Sequence, residues 1–450
     1  MNPSIFREYD IRGVVDKDIN DADVVTLGKA IGTYMAAKGV EAITLGRDCR
    51  LSADRYRDLL CQGLISTGRK IKDIGVVTTP MLYFSVFHFQ MDGGVMITAS
   101  HNPGDYNGFK VMIGKSTIYG AEIQKLYQIA EAGEFIQGQG SKEEVDIVTP
   151  YSDYLVEHVE IPKKLKIAVD SGNGTAGPVV LPIMERLGIE VTPLYCEMDG
   201  TFPNHEPDPT VPANLADLIA TVKEKGLMAG VAFDGDCDRV GVVDEKGQII
   251  FGDVLLAIFA RSIVKENPGA LFIGEVKCSK NLYDDIIKHG GKALMWRTGH
   301  SLIKQKMAET GALLAGEMSG HMFFKHRWFG FDDGIYAALR FCELLAASEA
   351  PLSTWLADMP PVVSTPEIRV ECADDIKFKV VDEVKKAMSG DYEVIDVDGV
   401  RVNFPDGWGL VRASNTQPAL VLRFEAQSEA RLEEIRALVE GEVKNARASL

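Results

Sequence analysis

KLKIAVDSGNGTAGPVVLPIMERLGIEVTPLYC, Lys164 to Cys196, holds the fold in miniature. The apolar run KLKIAVD reads as a strand, and SGNGTAG as a glycine-bearing turn. VVLPIMERLG has helical spacing, and IEVTPLYC is strand-like again. A strand, a turn at its carboxyl end, a helix and a second strand make the βαβ signature of a mostly parallel sheet. The same plan stands earlier, as EAITLGRD, SADRYRDLLCQGLISTG and KIKDIGVVTTP, and later, as ALFIGEVKCS, NLYDDIIKHGG and KALMWRTGH. A spacing of roughly 100 residues is too long for a solenoid repeat and suits whole domains.

The pattern changes after the proline-rich PLSTWLADMPPVVSTP. Beyond that segment the sequence predicts a helix over DDIKFKVVDEVKKAM, a hairpin at YEVIDVDGVRVNF, a strand pair around GLVRASNTQPALVLRF and a final helix. The expected fold is therefore α/β, with three tandem similar α/β domains of mixed, mostly parallel sheets. A smaller C-terminal α+β domain completes it, all four set around a central cleft. The expected boundaries are 1–146, 147–248, 249–360 and 361–450.

Composition narrows the partners. A formal charge of −17 on 450 residues argues against nucleic acid, which needs a basic field. No run of about 18 apolar residues predicts a membrane span. The opening MNPSIFREYDIRG lacks the basic-then-apolar build of a secretory leader, so a cytoplasmic protein is expected. Seven scattered cysteines without a CxxC pair fit reduced thiols. Nothing in the sequence speaks to oligomeric state.

Four short stretches carry chemistry. In VMITASHNPGDYNGFK, Val95 to Lys110, an apolar strand ends on Ser100 and His101. Neighbouring side chains on an extended chain point opposite ways, and no GxSxG is present, so a hydrolase triad is set aside. Taken alone, Ser100 could simply shape a turn. The second stretch, GVAFDGDCDRVGVVDEKG, puts Asp234, Asp236 and Asp238 on alternate positions after an apolar strand. Carboxylates that close repel one another unless a cation lies among them. Glu245 stands where a calcium EF-hand would want its twelfth residue, but Arg239 replaces the required glycine and the flanking sequence alternates like a hairpin. A Mg²⁺ site with room for a phosphate oxygen fits better than that loop or a solvated acidic turn. Third, Arg412, Ser414, Asn415 and Thr416 read as one anion-binding loop between strands, or as an ordinary hairpin cap. Fourth, GEMSGH places Glu317 and Ser319 where they could bind vicinal sugar hydroxyls, although a buried Glu satisfying loop amides would look the same. RTGH, ending at His300, and Lys277 lie just past strands at switch-like positions.

In this order and spacing the stretches resemble the α-D-phosphohexomutase family along the whole chain, in particular its bacterial phosphomannomutase/phosphoglucomutase branch. GVMITASHNP matches the family's active-site serine segment, DGDCDR its metal loop, GEMSGH its sugar loop and RASNT its phosphate loop; FREYDIRG and GRDCRLS match as well. The resemblance implies that Ser100 carries a phosphoryl group, that Mg²⁺ sits on Asp234, Asp236, Asp238 and the modified Ser100, and that Arg239 and His101 orient these loops. It implies proton transfer by residues among Arg12, Lys110, His300 and His321, with Lys110 favoured on the serine side and His321 near the sugar. Substrate would be held by Tyr9, Lys277, Glu317, Ser319, Arg412, Ser414, Asn415 and Thr416.

The implied reaction moves phosphate between O1 and O6 of mannose or glucose phosphates through a 1,6-bisphosphate, with glucose or mannose 1,6-bisphosphate as activator. Met318 in GEMSGH favours this branch over a GEQSGH-like phosphoglucosamine mutase. A sensor that binds hexose phosphates without turning them over and a phosphatase using the same Mg²⁺ site are the other expectations.

Overall fold

The structure, a computed structural model, describes residues 1–414 and 418–450. Among them the strands form four sheets, one for each expected domain. In the first sheet, Gly93–Ile97, Ala42–Arg47, Lys70–Val76 and Ser141–Glu144 run parallel, and Tyr106–Ile113 and Ile11–Val14 add an antiparallel edge. The second centres on Lys166–Asp170, with Glu190–Leu194 and Ala229–Phe233 parallel on either side. The third centres on Leu271–Glu275, with Lys292–Trp296 and Leu314–Gly316 parallel on either side.

One arrangement recurs in all three. A parallel strand beside the central one folds back through a loop into an antiparallel neighbour: Gly93–Ile97 into Tyr106–Ile113, Ala229–Phe233 into Val240–Asp244, and Leu314–Gly316 into Met322–Phe324. The serine, aspartate and GEMSGH stretches are therefore the same loop in three successive domains. The hairpin expected after the aspartates is present, and it explains why no EF-hand helix succeeds them.

A shared apolar core locks the three domains together. The helix Thr79–His88 of the first is buried along nearly its whole length, because its sequence TPMLYFSVFH is apolar on every face. Its Phe84 meets Tyr151 of the second domain edge-on, with ring centroids 5.4 Å apart, and stacks on Trp328 of the third at 6.0 Å. Burying each such ring contributes about 1.5–3 kcal/mol.

The fourth domain is an antiparallel sheet with the helices Lys377–Met388 and Glu429–Ser449, built around its own core of Val380, Val402, Leu422, Phe424 and Ile435. It grips the third domain through Arg401, whose guanidinium stacks 3.7 Å from the Trp408 ring centroid and donates to the carbonyls of Val276 at 2.6 Å and Cys278 at 2.7 Å. Those carbonyls flank Lys277.

Candidate active site

Close backbone approach brings the equivalent loops together. A Cβ on Gly235 would lie 2.5 Å from the Ser100 carbonyl oxygen, and one on Gly320 would lie 2.4 Å from that of Val240, with φ of +92° besides. Only glycine fits either place. The serine loop thus lies on the metal loop, and the metal loop on GEMSGH.

Ser100 has φ of +52°, a left-handed conformation that disfavours side chains other than glycine's. That strain is held by Arg50, whose buried guanidinium donates to the carbonyls of Ser100 at 2.8 Å and Tyr106 at 3.1 Å, and also to those of Asn102 and Pro103. Asp48 fixes Arg50 in turn through its Nε at 3.1 Å. The GRDCRLS stretch is therefore the clamp on the serine loop. The left-handed turn also corrects one expectation: His101 does not point away from Ser100, because the backbone between them is not extended. Its Nδ1 lies 3.1 Å from Ser100 Oγ. Burial, with the charges of Arg239 and Arg12, holds the His101 imidazole well below its usual titration range. The serine hydroxyl donates to Asp234 Oδ2 at 2.9 Å, so no Ser-His-Asp relay forms.

Asp234, Asp236 and Asp238 are fully buried, and one oxygen of each lies within 4.8 Å of the others. Burial and the two neighbouring carboxylates push Asp234 well above the ordinary carboxylate range. Lys110 supplies compensating charge, at 2.7 Å from Asp236 Oδ2 and 2.5 Å from Asp238 Oδ2. Burial alone would lower the Lys110 pKa, but the charges of Asp236 and Asp238 outweigh it and raise it. Thr79 donates to Asp236 Oδ2 at 2.6 Å. Oδ1 of Asp236 and Oδ1 of Asp238 have no hydrogen-bond partner. Buried, unpartnered carboxylate oxygens beside a hydroxyl are a donor set that suits a hard divalent cation.

Above this floor opens a cleft of about 460 Å³. Tyr9, Arg12, His101 and Arg239 line one side; Lys277, His300, Glu317, Ser319 and His321 come from the third domain; Arg412 and Ser414 close it from the fourth. Asn415 and Thr416 lie outside the described residues. Arg412 belongs to the strand Gly407–Ala413 and not to the loop after it, since its backbone pairs with Val421 within the ladder. Its Nε donates to Asp398 Oδ2 at 3.1 Å, and the Thr298 amide donates to the same oxygen at 3.1 Å. Glu317 Oε1 accepts the Gly299 amide at 2.6 Å, and the Tyr9 hydroxyl donates to the Thr298 carbonyl at 2.8 Å. The RTGH loop is thereby tied to the first domain, to GEMSGH and to the fourth domain. Lys277 Nζ donates to Glu367 of the fourth domain at 2.6 Å.

Sequence reasoning missed several residues here. Arg7, Asp10, Glu367 and Arg369 also line the cleft. Arg7 and Asp10 lie inside FREYDIRG, where the signal was present. Glu367 and Arg369 carry no local signal, because only domain packing turns them inward.

A clamped hydroxyl against a carboxylate cage, under a cleft shared by four domains, defines the phosphohexomutase class. The chain belongs to the phosphoglucomutase/phosphomannomutase family: its alpha/beta/alpha domains I, II and III match residues 3–137, 149–247 and 251–363, and its C-terminal domain matches 367–442. A phosphomannomutase/phosphoglucomutase of Pseudomonas putida is 50% identical over 434 residues, 96% of this chain and 94% of that protein. A phosphoglucomutase of Neisseria gonorrhoeae is 49% identical over 436 residues, 96% of this chain and 95% of that one. A crystal structure of a phosphoglucomutase/phosphomannomutase family protein from Burkholderia thailandensis superimposes with a TM-score of 0.94 at 43% identity, covering 99% of this chain and 98% of that one.

Proposed function

We propose that this chain is an isomerase that moves phosphate between O1 and O6 of mannose and glucose phosphates, with Ser100 as the carrier. Ser100 Oγ, 2.9 Å from Asp234 and beside unpartnered carboxylate oxygens, is the observation that carries this reading. Relatives named both phosphomannomutase/phosphoglucomutase and phosphoglucomutase support the two sugars.

Asp234, Asp236 and Asp238 would hold Mg²⁺, which when bound neutralises charge on the phosphoryl oxygens. Everything else falls to the chain. Ser100 is only 2% exposed, so water has little access to its Oγ. The sugar hydroxyl attacks phosphorus and loses its proton to His321. Ser100 Oγ departs and takes a proton from Lys110, whose ammonium lies on the neighbouring Asp236 and Asp238 carboxylates. His300, held neutral by burial and by Lys304, faces the same cleft. Glu317 and Ser319 would take the sugar hydroxyls, while Arg412, Ser414, Asn415, Thr416, Lys277 and Tyr9 would take the distal phosphate and the ring. The 1,6-bisphosphate then turns over and returns its other phosphate to Ser100, so either bisphosphate can also prime the enzyme. Residues 1–146, 147–248, 249–360 and 361–450 are the units we assign, and the cytoplasm the compartment. No described helix is long and apolar enough to cross a membrane.

Intact-protein mass tests the carrier. One phosphate should be present after incubation with the bisphosphate, lost on excess sugar phosphate and absent from Ser100→Ala. A Ser100→Ala enzyme at parental speed would refute it. Assays on mannose, glucose and glucosamine 1-phosphates separate the sugars, and inorganic phosphate release would mark a phosphatase instead.

A further inference from the structure

Beneath the sugar side of the cleft lies an ion pair, Asp332 with Lys304, that none of the phosphoryl-transfer steps uses. Asp332 is fully buried in the stretch after Trp328, where its backbone bridges to Phe323. Its Oδ1 accepts from Lys304 Nζ at 3.0 Å. Lys304 is itself enclosed, with its ammonium 4.2 Å from the Tyr83 ring centroid. The other carboxylate oxygen, Oδ2, lies 3.2 Å from His321 Nδ1 and 3.9 Å from His300 Nδ1, while Asp238 Oδ1 stands farther from His321 Nδ1, at 3.6 Å. Oδ2 and both ring nitrogens lack a well-aligned hydrogen bond. On the far side of the His321 ring, Arg239 Nε donates to Nε2 at 2.9 Å.

These contacts specify one tautomer. A guanidinium N–H can only donate, so Nε2 of His321 must offer a lone pair. The ring proton then belongs on Nδ1, facing the carboxylate. We propose that Asp332 is a positioning residue for the phosphoryl transfer: anchored by Lys304, it holds His321 as the Nδ1–H tautomer and leaves Nε2 bare for the sugar hydroxyl. In the ligand-free chain Arg239 fills that acceptor position, and a substrate hydroxyl takes it over. The long contact to Asp332 tightens when the hydroxyl binds, as poorly aligned hydrogen bonds of empty sites commonly do. The inference rests on the mutase reading for its consequence, but the tautomer itself does not depend on any activity.

Asp332→Asn is the informative change. Lys304 would hold the amide oxygen where Oδ1 was, so the amide nitrogen would replace Oδ2 and present a donor to Nδ1. Once a substrate hydroxyl has displaced Arg239 from Nε2, His321 would then carry its proton on Nε2, the wrong side for a base. In serine proteases the same reversal on the histidine's partner leaves geometry intact and costs about 10⁴ in kcat.

Two measurements test this. In protein labelled with ¹⁵N-histidine and saturated with glucose 1-phosphate, His321, one of eight histidines and assigned through His321→Gln, should show Nδ1 protonated and Nε2 bare in the parent and the reverse in Asp332→Asn, whereas without substrate Arg239 keeps Nε2 bare in both. In mutase assays Asp332→Asn should lose on the order of 10²–10⁴ in kcat with KM within about threefold, while still accepting phosphate on Ser100 from the bisphosphate to full stoichiometry. An Nε2–H tautomer in the parent overturns the proposal, as does an Asp332→Asn enzyme with its tautomer reversed and kcat within threefold. A parent with the expected tautomer but no mutase turnover would instead overturn the mutase function itself.

Discussion

The Arg50 guanidinium donates to the Ser100 carbonyl at 2.8 Å while its Nε is held by Asp48 at 3.1 Å. One planar fork thus fastens a loop that a left-handed serine would otherwise strain open. Lysine offers its donors from a single point and cannot span carbonyls spread from Ser100 to Tyr106. Arg50→Lys should therefore leave buried carbonyls unpaired, at about 1–3 kcal/mol each, and misplace Ser100. A denaturant melt should show a loss of roughly 2–5 kcal/mol, and kcat should fall about 10- to 100-fold. Unchanged stability and turnover would mean that Arg50 does not hold the loop.

Lys110 is the only ammonium among the described residues that bridges Asp236 and Asp238, so it carries much of the compensating charge when no cation is bound. Lys110→Met should lower the melting temperature in EDTA, because buried carboxylates lose their partner. Added Mg²⁺ should then raise the melting temperature more in the variant than in the parent, since a cation that no longer competes with the Lys110 ammonium binds the native state more tightly and stabilises it more. Equal Mg²⁺-induced shifts in the two proteins would argue against a shared site.

Asp398 holds the Arg412 guanidinium by its Nε where it lines the cleft. Asp398→Ala frees that side chain to sample other rotamers. A loss of about 1.4 kcal/mol in ground-state binding would appear as a roughly tenfold higher KM for glucose 1-phosphate with kcat little changed. A fall in kcat at constant KM would place Asp398 in the chemical step instead.

Asp333 caps the helix Gly334–Ala347, accepting the Tyr336 amide at 2.9 Å, and receives the Tyr151 hydroxyl. Burial pushes its carboxyl up to about 7, more than these hydrogen bonds pull it down. The folded state therefore binds this proton more tightly than the unfolded chain, whose aspartate titrates near 3.9. Stability from this group is present below about pH 4 and is lost as pH rises toward 7, by up to about 4 kcal/mol. Asp333→Asn, which keeps the cap and cannot ionise, should melt higher than the parent at pH 8 and gain less at pH 5. A pH-independent difference would contradict the raised carboxyl.

The hairpin at YEVIDVDGVRVNF and the helix after SGNGTAG could be read directly, because turn residues and apolar periodicity are local properties of the chain. The place of Ser100 at a strand's end and the alternation of Asp234, Asp236 and Asp238 were legible for the same reason. The turn of His101 onto Ser100 was not, since a positive φ on serine carries no signature in the residues around it.

Four units in order, the carboxylate cage and the serine came from the amino-acid sequence alone, as each is written within a few residues. Only tertiary structure brought Arg50 beneath the serine loop, Glu367 to Lys277 and Asp332 behind His321. Except for Asp332 and His321, these partners lie tens of residues apart; packing of the fourth domain on the third brings Glu367 to Lys277, and the apolar core common to the first three domains aims their equivalent loops at one cleft. Long-range packing sets such meetings, and no local pattern records them.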